Sequence, residues 1–228
     1  MSRLIVIGGS KGIGNAIVTS LLSSYDEVVN ISRSEPSESH PNLTHHSCDV
    51  LKDELPEMDS ADGLVYCPGS INLKPINRLS IEDFKNDFEI NVIGAVKAIQ
   101  TYLPALKKGN NPAIVLFSTV ASKLGMPFHA SVAASKSAVE GLTKSIGAEL
   151  APTVRINAIA PTVTDTELAS KLLRNDSMIE KMTERHPLRK YLKPEEVADM
   201  AGFLLSEKAA SLSGQVFEMD CGIVSFKI

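Results

Sequence analysis

The sequence predicts an α/β protein built on one doubly wound, seven-stranded parallel sheet with helices on both faces. Three observations carry that expectation. Short runs rich in Val and Ile alternate with helical patterns along all 228 residues, the order that yields parallel strands joined by crossover helices. The strand candidates are nearly continuous in apolar residues, as strands covered on both faces are. A glycine-rich turn joins the first strand candidate to the first helix candidate.

Residues 4–7 read as the first strand, and 12–24 as a helix with Ile13, Ile17 and Leu21 on one face. Residues 27–32 form a second strand, followed by a polar loop at 33–42 that holds two prolines. A weaker strand at 43–47 and a better one at 62–67 come next, with too few residues after Asp49 for more than a short helix between them. Residues 80–107 make a long helix opened by the capping box Ser80-Ile81-Glu82-Asp83. A strand at 113–117, a helix at 131–150 and a strand at 154–159 follow. The stretch 166–185 is amphipathic and charged. Pro194 stands at the first position of a helix that runs to about Ser206, and 215–219 is the last strand. Nothing suggests a second core, so residues 1–228 read as one domain.

Composition narrows the function. Hydrophobic residues are 43%, charged residues 22%, and mean hydropathy is +0.04, which excludes a mostly disordered chain. No apolar run approaches the roughly 18 residues of a membrane-spanning helix. The net charge of −4 and pI of 5.8 leave no basic footprint, so neither nucleic acid nor a membrane is expected as partner. Cys48, Cys67 and Cys221 are widely spaced and form no metal-ligand pattern. No metal is expected, and a cytoplasmic location is. The opening apolar run is too short for a signal peptide.

The first strand candidate runs into Gly8-Gly9-Ser10-Lys11-Gly12-Ile13-Gly14. Glycines allow a tight turn and close approach of a pyrophosphate, whose charge then meets the positive end of the helix. A glycine-rich surface turn is the plain alternative; a strand before it and a helix after it favour a nucleotide site.

The spacing here is Gly-x-x-x-Gly-x-Gly. With the motifs downstream, from Arg3 to about Gly222, it resembles the short-chain dehydrogenase/reductase family, in its 3-oxoacyl-(acyl carrier protein) reductase-like branch. The resemblance implies a Rossmann-type domain. Asp49, with Val50, stands where the family contacts adenine. Asn91, in Glu-Ile-Asn-Val-Ile-Gly, matches its active-site asparagine. Ser135-Lys136 matches the end of its Tyr-x-x-x-Lys motif. The segment Arg-Ile-Asn-Ala-Ile-Ala-Pro ending at Pro161 matches its sixth strand, and Thr166 the residue that holds the nicotinamide carboxamide; Val163 and Thr164 lie between. The segments beginning at Leu192 and Ser213 resemble its closing helix and strand. The family also implies a homodimer or homotetramer paired through the two long helices, which the apolar tail from Ile223 to Ile228 would suit.

Cofactor choice has a physical argument. An acidic residue at the tip of the second strand would favour NAD by accepting from the ribose 2′-hydroxyl. Here that place holds Ser32, followed by Arg33, and Lys11 lies in the glycine turn. Two cations converging there suit a 2′-phosphate, hence NADP(H). Each alone reads equally well as a solvated cation.

In the family, hydride moves between nicotinamide and a carbonyl carbon. A tyrosine gives the oxygen its proton, a lysine tunes that tyrosine and binds ribose, a serine steadies the oxygen, and an asparagine holds a relay water. Four residues before Lys136 stands Val132, and thirteen before that Thr119. Thr119 keeps a hydroxyl, while alternation points Ser118 to the other face. Val132 has no proton to give. The candidate catalytic residues are therefore Asn91, Thr119 and Lys136. Candidate substitutes for the acid are His129 and Lys136 acting through an Asn91-bound water; Tyr25, Tyr66, Tyr102 and Tyr191 lie away from the motif. The family's Asn-Ala-Gly is Cys67-Pro68-Gly69 here, with Cys67 either a small buried residue or a reactive thiol. Its Pro-Gly after the sixth strand is Pro161-Thr162. The stretch 164–191 resembles the substrate-covering loop. Leu168, Leu172, Leu173, Met178, Ile179 and Met182 read either as pocket lining or as helix packing, and Lys107, Lys108, Arg185, Arg189 and Lys190 as solvated charges.

Three readings follow. The first is an NADP(H)-dependent oxidoreductase of a small carbonyl or alcohol substrate, with a substituted proton donor. The second is a non-catalytic NADP(H)-binding sensor or inactive partner subunit. The third is a non-redox enzyme in the same pocket.

Overall fold

A computed structural model describes residues 1–170 and 172–226; Lys171, Lys227 and Ile228 lie outside the described residues. Seven parallel strands form one sheet in the order β3-β2-β1-β4-β5-β6-β7. They are β1 (Arg3–Ile7), β2 (Glu27–Ser32), β3 (Leu43–Ser47), β4 (Gly63–Tyr66), β5 (Ala113–Phe117), β6 (Arg155–Pro161) and β7 (Val216–Met219). The helices are α1 (Gly12–Leu21), α2 (Ile81–Phe88), α3 (Gly94–Leu106), α4 (Ala130–Leu150), α5 (Asp176–Arg185) and α6 (Pro194–Leu205).

Side chains alternate across each strand. Leu4 and Val6 enter a core with Ile17, Val18, Val197 and Ala201 on the α1/α6 side. Ile5 and Ile7 enter the opposite core with Ile99, Tyr102 and Val139 on the α3/α4 side. The chain winds outward from β1 to β3, then returns to place β4 on the other side of β1. That reversal opens a crevice at the carboxyl ends of β1 and β4, where open α/β sheets bind ligands. Arg155 is buried, and its guanidinium donates to the carbonyls of Leu204, Ser206 and Ala209, satisfying the end of α6.

The structure departs from the sequence reading in the long helix, and it settles the short connection that follows β3. Ser80 caps α2 in the expected box, its Oγ accepting from the Asp83 N–H and the Asp83 carboxylate accepting from the Ser80 N–H. The long helix is interrupted, however, by a π-helical turn at Glu89–Ile93. Such a turn frees backbone groups for other partners, and Tyr66 Oη donates to the Ile90 carbonyl at 2.7 Å. Between β3 and β4 there is no helix at all among the described residues. An Asx turn forms instead, the Leu51 N–H donating to Asp49 Oδ1 at 3.1 Å, and extended chain buries Val50, Leu55 and Ala61 against the α3/α4 core.

Candidate active site

The glycine turn follows β1. Gly8 and Gly12 have φ of +79° and +52°, a region that disfavours side chains. A Cβ on Gly14 would overlap the Gly8 carbonyl oxygen. Gly8 N–H donates to the Ile31 carbonyl and Gly9 N–H to Asn30 Oδ1, so the buried Asn30 braces the turn from β2. No side chain caps α1, which leaves its first N–H groups, around Gly12, Ile13 and Gly14, free for an anion. The methyl of Thr166 packs close over Gly12, and Pro68 over Gly8.

At the end of β2, Ser32 turns its hydroxyl back onto the chain. Ser32 is buried, accepts from Asn30 Nδ2 and donates to the Ser34 carbonyl. Its hydroxyl is bonded within β2 and the loop that follows it. The hydroxyl next in line is Ser34, which donates to Ser10 Oγ at 3.1 Å, beside the exposed Arg33. Lys11 pairs with Glu167 at 2.9 Å, both side chains more than half exposed, a bridge that salt or a bound phosphate displaces cheaply.

Asn91 lies in the π turn and is 1% exposed. Its Nδ2 donates to the Asp87 carbonyl at 2.8 Å and to Ser135 Oγ at 3.1 Å; its Oδ1 has no partner. That oxygen and the Lys136 ammonium both border Gly69, in the space a Cβ there would enter. Lys136 is buried on α4 and donates to the Phe117 carbonyl at 2.9 Å. Burial holds its pKa down to about 8, and the carboxyl of Asp87 pulls the other way. Cys67 borders the same group, but burial pushes its thiol up to about 12, so it stays protonated and unreactive near neutrality.

Behind this pair lies Asp87, which sequence reasoning passed over. It is fully buried. Oδ1 accepts from Ser70 Oγ at 2.5 Å and from Asn72 Nδ2 at 2.8 Å, and Oδ2 has no partner. Its signal in the sequence was an acidic residue one helical turn before Asn91, on the same face.

These elements frame a cavity of about 220 Å³, mostly apolar. Thr119, Val132 and Lys136 line it, with Pro161, Val163, Thr164 and Thr166 along one wall. Ser118 borders it too, but its hydroxyl donates to Glu140 Oε1 at 2.7 Å. Of the apolar loop residues, Leu168, Leu172 and Met182 reach the cavity; Leu173, Met178 and Ile179 are outside its described lining. Arg185 is exposed and sits in the wall. Half-buried His129 is at the rim, Nδ1 held by the Pro127 carbonyl. None of the four tyrosines is in the described lining; Tyr66 and Tyr102 donate to backbone carbonyls elsewhere. Asp49 and Val50 lie away from the cavity, past β3. The sequence reading also passed over His186, 1% exposed in the cavity wall.

An uncapped helix behind a glycine cradle, with a buried lysine and an unpartnered Asn91 oxygen at the crevice, fits a nicotinamide nucleotide. The pyrophosphate would rest on the turn at Gly8–Gly14, and Lys136 and Asn91 would meet the nicotinamide ribose. Residues 8–224 match the family model described as enoyl-(acyl carrier protein) reductase. The chain belongs to this short-chain dehydrogenase/reductase family, an oxidoreductase family with NAD(P)-dependent dehydrogenases among its members. It is 29% identical to carbonyl reductase (NADPH) 2 of Sus scrofa, over 98% of this chain and 96% of the relative. It is 30% identical to a 3-oxoacyl-(acyl-carrier-protein) reductase of Thermotoga maritima, over 96% of each. The ligand-free aldohexose dehydrogenase of Thermoplasma acidophilum superposes with a TM-score of 0.89 at 27% identity, over 99% of this chain and 95% of that one. Among the described residues, no helix is long and apolar enough to cross a membrane.

Proposed function

We propose that residues 1–228 act as one NADP(H)-binding unit that interconverts a small carbonyl compound and its alcohol, in an active site where Val132 occupies the family's tyrosine position. The observation that carries this reading is the buried Lys136 amine on the Phe117 carbonyl, beside the open Asn91 Oδ1, at the floor of an apolar cavity. A buried amine with a single protein partner is costly unless it serves a ligand.

The cofactor supplies hydride when bound. The protein's part is to hold it and handle the proton. The turn from Gly8 to Gly14 would receive the pyrophosphate, and Arg33, Ser34, Ser10 and Lys11 the 2′-phosphate. Asp49 and Val50 would border the adenine, and Cys67, Pro68 and Gly69 the ribose. Thr166, with Pro161, Val163 and Thr164, would seat the nicotinamide. Thr119 would donate to the substrate oxygen, and Lys136 with Asn91 would hold a relay water. The choice of NADP(H) rests on the cations at Lys11 and Arg33 and the absence of a carboxylate at the β2 tip.

The test is NADPH and NADH oxidation across β-ketoacyl thioesters, quinones, ketosteroids and aldehydes, with wild type beside K136A. Turnover with NADPH that K136A abolishes is expected. Val132 favours a second reading, an NADP(H)-binding protein without catalysis; wild type that binds NADPH yet reduces nothing would establish it. Assembly as a homodimer or homotetramer through the long helix of residues 80–107, now α2, the π turn and α3, and through α4 belongs to the same proposal. The exposed Ile81, Phe88 and Ile93 near that face support it, and light scattering tests it.

A further inference from the structure

Thr162 and His186 form a buried pair in the cavity wall that the assignments above leave unused. Thr162 follows β6 and is 8% exposed; His186 ends α5 and is 1% exposed. His186 Nδ1 lies 2.7 Å from the Met182 carbonyl, which only accepts, so Nδ1 carries a hydrogen. Its Nε2 lies 2.7 Å from Thr162 Oγ1. With a neutral ring, Nε2 accepts the Thr162 hydrogen. With a cationic ring, Nε2 donates to Oγ1, and the threonine hydrogen is free to turn into the cavity.

We propose that Thr162, backed by His186, delivers to the substrate oxygen the proton that Val132 cannot. This rests on the reductase reading. The other hydroxyls in the wall are ill suited: Thr164 donates to the Thr162 carbonyl at 3.1 Å and Thr166 to the Thr164 carbonyl at 3.3 Å. Ser70 donates to Asp87 and Ser118 to Glu140, so a carboxylate draws each hydrogen away from the cavity. Thr119 Oγ1 accepts from the Ala121 N–H and has no titratable group behind it. Thr162 is the one hydroxyl of the described lining backed by an imidazole. Arg185 and Lys136 share the cavity with the pair. Asp220, in the turn after β7, is spent on the N–H groups of Gly222, Val224 and Ser225.

The balance closes for a ketone or aldehyde. As hydride from the reduced nicotinamide reaches carbon, the carbonyl π pair moves onto oxygen. That oxygen takes the Thr162 proton, Oγ1 takes the Nε2 proton, and His186 ends neutral until solvent recharges it. Thr162 is the catalytic residue, and His186 acts through it.

The experiment uses intact enzyme, NADPH and the best carbonyl of the panel, with T162V, T162S and H186Q. Expected is a ~10²–10⁴-fold loss of kcat in T162V, the range for removing a positioned acid, with NADPH affinity by fluorescence unchanged. T162S restores most of it. H186Q loses a comparable factor and the decline of kcat with rising pH, and the double variant is no worse than either alone. In cofactor-free protein, ¹⁵N-histidine NMR should show Nδ1 protonated, with an Nε2 signal that moves in T162V. Wild-type kcat and pH profile retained in H186Q would overturn the pair while sparing the reductase reading; H186Q decides alone should T162V not fold. A wild type that turns over no carbonyl overturns both, and V132Y activity then separates a pocket lacking only its acid from one that is no reductase.

Discussion

Lys136 Nζ sits 2.9 Å from the carbonyl oxygen of Phe117, and that carbonyl is the only protein acceptor the buried amine has among the described residues. The amine titrates at 10.5 when free and near 8 in the fold. Between those values the unfolded chain binds a proton that the folded chain does not, so stability rises with pH across that window. Below pH 8 the whole cost is present, on the order of 3 kcal/mol at about 1.36 kcal/mol per pKa unit. Urea titrations of wild type and K136M should show wild type gaining on the variant from pH 8 to 10.5. A difference that is flat over that range would count against a buried, destabilised ammonium.

Val132 is 4% exposed and lines the cavity. Replacing it with tyrosine places a phenol in the cavity wall, with Lys136 a turn away on α4. Added to T162V, V132Y is expected to recover kcat for carbonyl reduction by ~10²-fold or more, at a cost of about 1–3 kcal/mol for the added bulk. Steady-state kinetics and chemical denaturation measure the two effects separately.

The free Oδ2 of Asp87 makes the next test specific. In D87N the amide oxygen can keep the bonds from Ser70 and Asn72, and the amide nitrogen takes the place of the unpartnered oxygen. Stability should change little, and the Lys136 pKa should fall further, because Asp87 holds it up. D87A strands two half-buried donors and should cost about 1–3 kcal/mol. ¹⁵N NMR of the lysine amine and urea melts report these outcomes; a Lys136 titration unmoved in D87N would remove Asp87 from its electrostatics.

Gly14 tolerates no side chain, since a Cβ would overlap the Gly8 carbonyl oxygen. G14A must shift the turn off the α1 N-terminus. NADPH affinity, read by fluorescence, should drop at least about tenfold, equivalent to roughly 1.4 kcal/mol, with thermal stability also reduced.

Arg33 is exposed beside Ser34 and Ser10. If it meets a 2′-phosphate, R33A should weaken NADPH binding by about tenfold, the scale of one charge-assisted contact, and leave NADH binding unchanged. Equal effects on both nucleotides would remove the argument for NADP(H).

Local chemistry made much of this protein readable from its sequence. The apolar runs set the strands, because a parallel sheet buries both faces. The glycine spacing marked the turn, because no side chain fits at Gly14, and Ser80 with Asp83 marked a helix start through bonds made within one turn. The resemblance to the family's motifs singled out Val132, Thr119 and Lys136, and all three line the cavity. Tertiary structure decided what depends on partners distant in sequence. Asn30 and the Ser34 backbone claim the hydroxyl of Ser32. Leu168, Leu172 and Met182 reach the cavity, while Leu173, Met178 and Ile179 are outside its described lining. Asp87 met Ser70 and Asn72, and His186 met Thr162, only when α2 and α5 packed back over the carboxyl ends of the strands. A sequence lists the groups able to hold or pass a proton; the fold sets their distances, and those distances decide which of them share one.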